Sequence, residues 1–248
     1  MLSGFSGKLT KNGGFSVMYF FGLFWDPTLL LLLPALAFAV YAQIRVSSAF
    51  RTYSAVASAR GIPAQEAASV ILRRHGAADV SIQSGGSNFS DHYNPLKNTI
   101  RLSPVVYGSS SIAAVAIAAH ESGHALQHSQ GYLPLKLRSA ILPVVNLASS
   151  LAFPLLLFGL LLGVPSLAYG AAIAFGAVFV FQLVTLPVEF NASRRAIQAL
   201  EEERILLPPE LAQAKKVLSA AALTYVAATL TALLHFLRLF LLARRRNN

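Results

Sequence analysis

The 248-residue chain contains no cysteine. Disulfides and thiolate ligands are therefore excluded, and any metal site must be built from His, Asp or Glu. Charge is also scarce. Only 12% of residues are Asp, Glu, Lys or Arg, about half the share of an ordinary soluble domain. Acidic groups are the scarcer sign, 10 against 20 Lys and Arg, for a net charge of +10. The basic residues cluster beside apolar segments, where they meet anionic lipid head groups and set topology. The positive balance therefore points to membrane lipid as the partner and not to nucleic acid. The remainder is apolar, 55% hydrophobic with a mean hydropathy of +0.57, which is the composition of a membrane protein. The first 24 residues lack the charged, apolar and small-residue order of a cleaved signal peptide, so residues 1–25 are expected to form a loose lead-in.

Hydropathy and punctuation divide the chain further. Residues 26–45 are expected to cross the membrane once, with Arg45 as a stop and a kink at Pro34. Tyr19, Phe20, Phe21, Phe24 and Trp25 sit at one mouth of this span and Tyr41 at the other. Residues 46–138 are more polar. Pro63 opens a helix that runs to His75 and Gly76, 80–83 and 99–103 alternate as short strands, and 85–88 and 94–98 are turns. The 99–103 strand is a candidate edge to which an extended substrate could add. Residues 141–163 and 167–188 form a transmembrane hairpin that ends at Pro187-Val188-Glu189, with Gly170 and Gly176 suited to close packing. Residues 189–216 are polar again, and Pro208-Pro209-Glu210 starts a helix. Residues 217–243 form a fourth apolar helix, interrupted by His235 and Arg238.

The expected class is mostly α: an integral membrane bundle of about four apolar helices with a small α+β cytoplasmic unit. Lys and Arg concentrate in 45–138 and 194–216. The positive-inside rule thus puts those segments in the cytoplasm and the N-terminus outside, in a multi-pass protein of the cell membrane. The final arginines, Arg244 to Arg246, argue against a clean fourth crossing.

His120-Glu121-Ser122-Gly123-His124 is the stretch that carries chemistry. Two histidines four apart project from one helical face and can reach one ion, here read as Zn2+. Glu121 lies about 100° around the helix, where it can act as general base on a water that the ion activates. Random order would give this pattern in about 0.4% of chains of this composition, so it needs context. That context is helical. Ser109, Ser110 and Ser111 offer N-caps, 112–119 is rich in Ala and Val, and Gly131 is a plausible stop, giving a helix over 111–130.

A catalytic zinc takes three protein ligands. His128, two turns beyond His120, lies about 12 Å along the same helix and is a supporting or solvated residue rather than a ligand. Glu189 re-emerges where the hairpin ends. A carboxylate there is costly unless it coordinates metal or is paired, and Arg194 and Arg195 are the alternative partners. Asp91-His92-Tyr93 lies between the two strands. His92 and Tyr93 could steady an oxyanion, or Asp91 could fix a turn while the others pack.

These stretches resemble a known family. Ser90-Asp91-His92-Tyr93-Asn94-Pro95, Ile100-Arg101-Leu102-Ser103-Pro104, Ala118 to Ala125, and Leu186-Pro187-Val188-Glu189-Phe190-Asn191-Ala192-Ser193-Arg194-Arg195 look like the YugP-like family of neutral zinc metallopeptidases, which are membrane proteins. The resemblance covers residues 26–246. More distantly, the layout is similar to HtpX- and Ste24-type membrane peptidases, where two spans separate the histidines from a zinc-binding glutamate. The resemblance implies His120, His124 and Glu189 as metal ligands and Glu121 as base. Those distant relatives follow the glutamate with an aspartate that supports the histidines, whereas this chain has Asn191 and Ser193, and a neutral residue orients a histidine less strongly.

The expected function is a membrane zinc endopeptidase of gluzincin type, acting on polypeptides that are membrane-associated or misfolded. The alternative is a non-catalytic membrane scaffold with a structural metal. A metal transporter fits poorly, because its ionisable groups should lie mid-span.

Overall fold

The structure, a computed structural model, describes residues 27–86 and 90–245. The expected lead-in at 1–25 with its aromatic residues, the loop residues Ser87 and Asn88, and Arg246 lie outside the described residues. Among those described, four helical stretches are long and apolar enough to cross a membrane: Pro27–Ser54, Leu133–Gly159, Ser166–Glu202 and Pro208–Arg244.

The helices run further than hydropathy implies. A 3-10 segment at Pro27–Leu32 leads into helix α1, Leu33–Ser54. Pro34 thus falls in the first α-helical turn, where its missing N–H is harmless. Helix α5 spans Leu133–Leu161 and α6 spans Pro165–Glu202, joined through Gly163 in the left-handed region (φ +66). Helix α6 continues through Pro187 and Glu189, so the hairpin has no break at the expected end. Helix α7, Pro208–Arg245, likewise joins the Pro208 start to the fourth apolar stretch as one rod. The Glu210 carboxylate anchors it, accepting N–H donations from Leu207 at 2.7 Å and Ala59 at 2.6 Å.

Two compact units result. One comprises the described parts of 1–38, 141–182 and 229–248. Its interior is a small cluster of Leu156, Ala171, Ala172 and Leu239. Large side chains such as Phe153 and Ile173 are turned outward, as lipid-facing surfaces require. Among the described glycines of this unit the closest contact is at Gly159, where an added Cβ would meet the Ala168 nitrogen at 2.9 Å. Gly170 and Gly176 meet only side chains, at 3.7 and 3.3 Å.

The other unit, 39–140 and 183–228, holds the polar segment. Helix α2 is Ala64–Arg74, and the strands are β1 Ser81–Ser84, β2 His92–Asn94 and β3 Thr99–Leu102. A single turn, α3 Pro104–Tyr107, precedes α4, Ile112–Ser129. The sheet order is β1-β3-β2, with β1 parallel to β3 and β2 antiparallel, pairing Tyr93 with Ile100. Strand β3 is therefore central and both its edges are taken. It is not a free substrate edge, because His92–Asn94, read as part of a loop, supplies the third strand.

Helix α4 forms where its caps predict. Ser111 accepts the Ala114 N–H at 3.3 Å. At the other end Gly131 (φ +66) donates its N–H to the His128 carbonyl, and Tyr132 to that of Gln127, a Schellman closure that only a residue comfortable in the left-handed region permits. Between the caps Ile112, Ala113, Ala114, Val115, Ala116, Ala118 and Ala119 are all buried. The helix is apolar all round because it is the unit's central rod, packed within one core with Ile71 and Leu72 of α2, Ile100 and Leu102 of β3, Leu200 of α6 and Val217 of α7.

One crossing is tighter than side chains allow. A Cβ added to Gly123 of α4 would stand 2.5 Å from the Ala192 carbonyl oxygen of α6. Replacing Gly123 by Ala must therefore push two backbones apart. The expected cost is about 1–3 kcal/mol, as for other overpacked cores, read as a lowered thermal unfolding temperature of the detergent-solubilised protein.

Candidate metal centre

The α4–α6 crossing fixes which side chains meet. His120 and His124 leave α4 on either side of Gly123, and Glu189 leaves α6 one turn before Ala192. The Glu189 Oε2 atom stands 3.3 Å from His120 Nε2 and 3.5 Å from His124 Nε2. The two imidazoles are edge-on, with centroids 4.7 Å apart. The three side chains are 16%, 12% and 3% exposed respectively, so water screens them little.

This spacing fits a metal. Ligand atoms about 2.0–2.1 Å from a tetrahedral zinc stand roughly 3.3 Å from one another. A second observation agrees: Glu189 Oε2 is buried and accepts no well-directed hydrogen bond. A buried carboxylate oxygen left so is expensive unless a cation takes it up. Burial opposes charge on His124. The nearby Glu189 carboxylate, the negative charge of Glu121 and the contact with Gln127 nevertheless hold its pKa above the ordinary histidine value. Among the described residues, the group able to hold an ion has these three members.

Glu121 is 8% exposed, and its Oε2 accepts the backbone N–H of Tyr93 at 2.9 Å. A cavity of about 780 Å³ adjoins the group, with His120, Glu121 and Glu189 on its wall. Phe50 of α1, Ile117 of α4, and Val217, Leu218, Ala221 and Ala222 of α7 make the rest of that wall largely apolar. The arrangement combines a three-ligand cation site, a carboxylate beside it and an apolar chamber opening onto both.

Residues that sequence reasoning singled out fall into different places. Asp91 accepts from both the N–H and the hydroxyl of Ser103, at 2.7 and 3.0 Å, and so ties β2 to the end of β3. The His92 ring is exposed, with Nδ1 2.7 Å from the Ser90 carbonyl oxygen. Tyr93 reaches the site through its backbone. Its hydroxyl donates to Asn98 Oδ1 and lies 2.8 Å from His128 Nδ1. Burial, and then the nearby Asp79, raise that hydroxyl's pKa. His128 is exposed and is not in the three-membered group. Arg194 is exposed, while Arg195 is spent on Asn191 and Gln130. Arg138 takes the place expected of those two, with Nη1 3.4 Å from Glu189 Oε1.

Three contributing residues, Gln127, Arg138 and Tyr225, were not singled out for these roles, and a fourth, Ser193, stood in the sequence only as a neutral residue in place of a supporting aspartate. Gln127, fully buried, holds His124 Nδ1 at 3.1 Å, and Ser193 Oγ lies 3.2 Å from His120 Nδ1. Arg138 pairs with Glu189, and Tyr225 of α7 lines the same cavity wall as Glu189. Gln127 had a detectable signal, a polar amide on the same helical face as His120 and His124. Tyr225 had none, since it lies within an apolar run.

A family model described as "Putative neutral zinc metallopeptidase" matches residues 28–244. The chain is also 46% identical over 220 residues to "Putative membrane protease YugP" of Bacillus subtilis (strain 168), covering 88% of this chain and 98% of that protein. No solved structure matches. The match takes in both helices that meet at Gly123 and all three converging side chains. The chain belongs to this family of neutral zinc metallopeptidases.

Proposed function

We propose that the protein is an integral membrane zinc endopeptidase. The observation that carries the reading is Glu189 Oε2, buried without a hydrogen bond between two histidine Nε2 atoms, with Glu121 beside them on one cavity wall. His120, His124 and Glu189 hold the ion, which when bound supplies Lewis acidity to a water and to a peptide carbonyl. Glu121, anchored at Oε2 by the Tyr93 N–H, takes a proton from the attacking water at its other oxygen. As the water oxygen bonds to the carbonyl carbon and the C–N bond breaks, the same carboxyl returns the proton to the leaving amine. Tyr225 offers a neutral hydroxyl on the cavity wall for the charge that develops on the carbonyl oxygen. Tyr93 contributes through its backbone, and His92 is exposed on the same strand.

The apolar chamber wall fits polypeptide substrates that present apolar side chains, the kind that membrane-associated or misfolded chains expose. Four crossings would put residues 55–132 and 203–207 on one side of the membrane. Arg60, Arg73, Arg74, Lys97, Arg101 and Arg204 lie there, which supports a cytoplasmic site.

Two substitutions separate binding from chemistry. Glu189→Gln removes an anionic ligand while keeping the shape, so the purified protein is expected to lose its bound zinc by metal analysis. Glu121→Gln keeps zinc but is expected to cut peptide hydrolysis by at least about 10²-fold, as loss of a general base does. Full proteolysis by Glu121→Gln would remove that residue from the mechanism. Tyr225→Phe should keep zinc and KM near wild type while lowering kcat by roughly 10-fold or more.

A further inference from the structure

Helix α4 carries a buried amide whose hydrogen bonds are over-determined. Gln127 is fully buried. Its Nε2 donates to the Val188 carbonyl at 2.7 Å and to Asn191 Oδ1 at 3.0 Å. A backbone carbonyl can only accept, so the NH2 group must face Val188 and the amide cannot flip. Its Oε1 is left toward His124 Nδ1 at 3.1 Å. That oxygen can only accept, so Nδ1 carries a proton, and in the neutral ring the lone pair falls on Nε2, the atom facing Glu189.

The chain of contacts continues outward. Asn191 Oδ1 also accepts from Arg195 Nε at 2.7 Å. Arg195 in turn donates to Gln130 Oε1, and its guanidinium lies 5.9 Å from the Tyr132 ring centroid. Gln130 and Tyr132 belong to the closure of α4, the helix that bears the histidines. Asn191 and Arg195 stand one turn apart on α6, the helix that bears Glu189. The relay therefore ties the two ligand-bearing helices together at the side where their ligands meet.

We propose that Gln127 is the positioning residue for His124, and that Asn191 and Arg195 hold Gln127 in its working orientation. The relay does with neutral amides what a carboxylate beside a metal-bound histidine would otherwise do. It fixes the ring and its tautomer without placing a further negative charge beside Glu121 and Glu189. The cation that completes it, Arg195, sits three hydrogen bonds away from the ring. This inference rests on the metal reading only for the affinity it predicts; the tautomer it predicts exists without an ion.

The test uses the full-length protein in detergent micelles. Zinc affinity is measured by chelator competition for wild type, Gln127→Met, Asn191→Leu and Asn191→Asp. The proton position on His124 is read from ring 15N shifts of the metal-free protein, followed upward in pH until those shifts show a neutral ring. Gln127→Met fills the space without accepting a hydrogen bond, and Asn191→Leu fills its space without offering an acceptor. Both are expected to weaken zinc binding by about 10–100-fold. Asn191→Asp still accepts from Gln127 and Arg195 and is expected to stay within about threefold of wild type. In metal-free wild type the proton should reside on Nδ1 of His124, and in Gln127→Met it should redistribute toward Nε2. Should Gln127→Met fail to fold, the Leu and Asp pair at half-buried Asn191 decides the matter, since packing alone would not rank Asp above Leu. Wild-type affinity in Gln127→Met, equal damage from Leu and Asp at 191, or a wild-type His124 carrying its proton on Nε2 would each overturn the relay. A wild-type protein that binds no zinc yet shows the Nδ1 proton would instead sink the metal reading and leave the relay standing.

Discussion

Taking a carboxylate out of water costs several kcal/mol unless charge and hydrogen bonds replace the lost solvation. Glu189 is 2% exposed and lies in a chain with only 10 acidic residues. One of its oxygens has Arg138 at 3.4 Å. The other has two imidazole nitrogens and no directed hydrogen bond. That asymmetry organises the site. The Arg138 side is compensated by a fixed charge of the chain, while the histidine side faces two ring nitrogens placed so that one cation could be shared by all three groups. A scaffold free to minimise its own energy would not leave such an oxygen there.

The convergence depends on something with no side chain. Gly123 lets the Ala192 carbonyl approach to where a Cβ would stand. His120 and His124 lie three residues before and one after Gly123, and Glu189 lies three before Ala192. Helical neighbours three or four apart share a face, as Gly123 does with His120, His120 with His124, and Glu189 with Ala192, so the backbone contact and the ligand contact are two consequences of one crossing. The alanines of α4 serve the same end. A thin helix can be surrounded on every side and still sit close to each neighbour, which larger residues would prevent. Rigidity follows from that enclosure, and a metal site needs it, because ligand atoms must hold their places to within a few tenths of an ångström.

Much of this was legible before any coordinates. The H-E-x-x-H spacing, the Ser111 cap and the Gly131 stop define α4 through local rules, and local rules act within a few residues. Glu189 was legible for an energetic reason, since an acidic group at the end of an apolar run demands a partner. The sequence was less informative where partners come from afar. Whether 99–103 is a central or an edge strand depends on where His92–Asn94 lies, and three residues carry too short a pattern to reveal a strand. Hydropathy ended the third span near Pro187, because polarity changes there. The helix does not end, since one proline removes one N–H and the neighbouring turns carry on. Arg138 in place of Arg194 or Arg195 is another long-range choice: three arginines are chemically equivalent in the sequence, and only the crossing of helices decides which one faces Glu189.

The polar segment 46–138 holds the recognisable motif, yet it could not make the site alone. Its unit also includes 39–54 of α1 and 183–228 of α6 and α7, all parts of stretches apolar enough to enter a membrane. Glu189, Ser193 and Asn191 come from α6. Tyr225 and the apolar chamber wall come largely from α7, and Phe50 comes from α1. A ligand placed on a continuous 38-residue helix inherits that helix's stiffness and needs no ordered loop to present it. The catalytic geometry and the membrane anchorage are therefore built from the same rods.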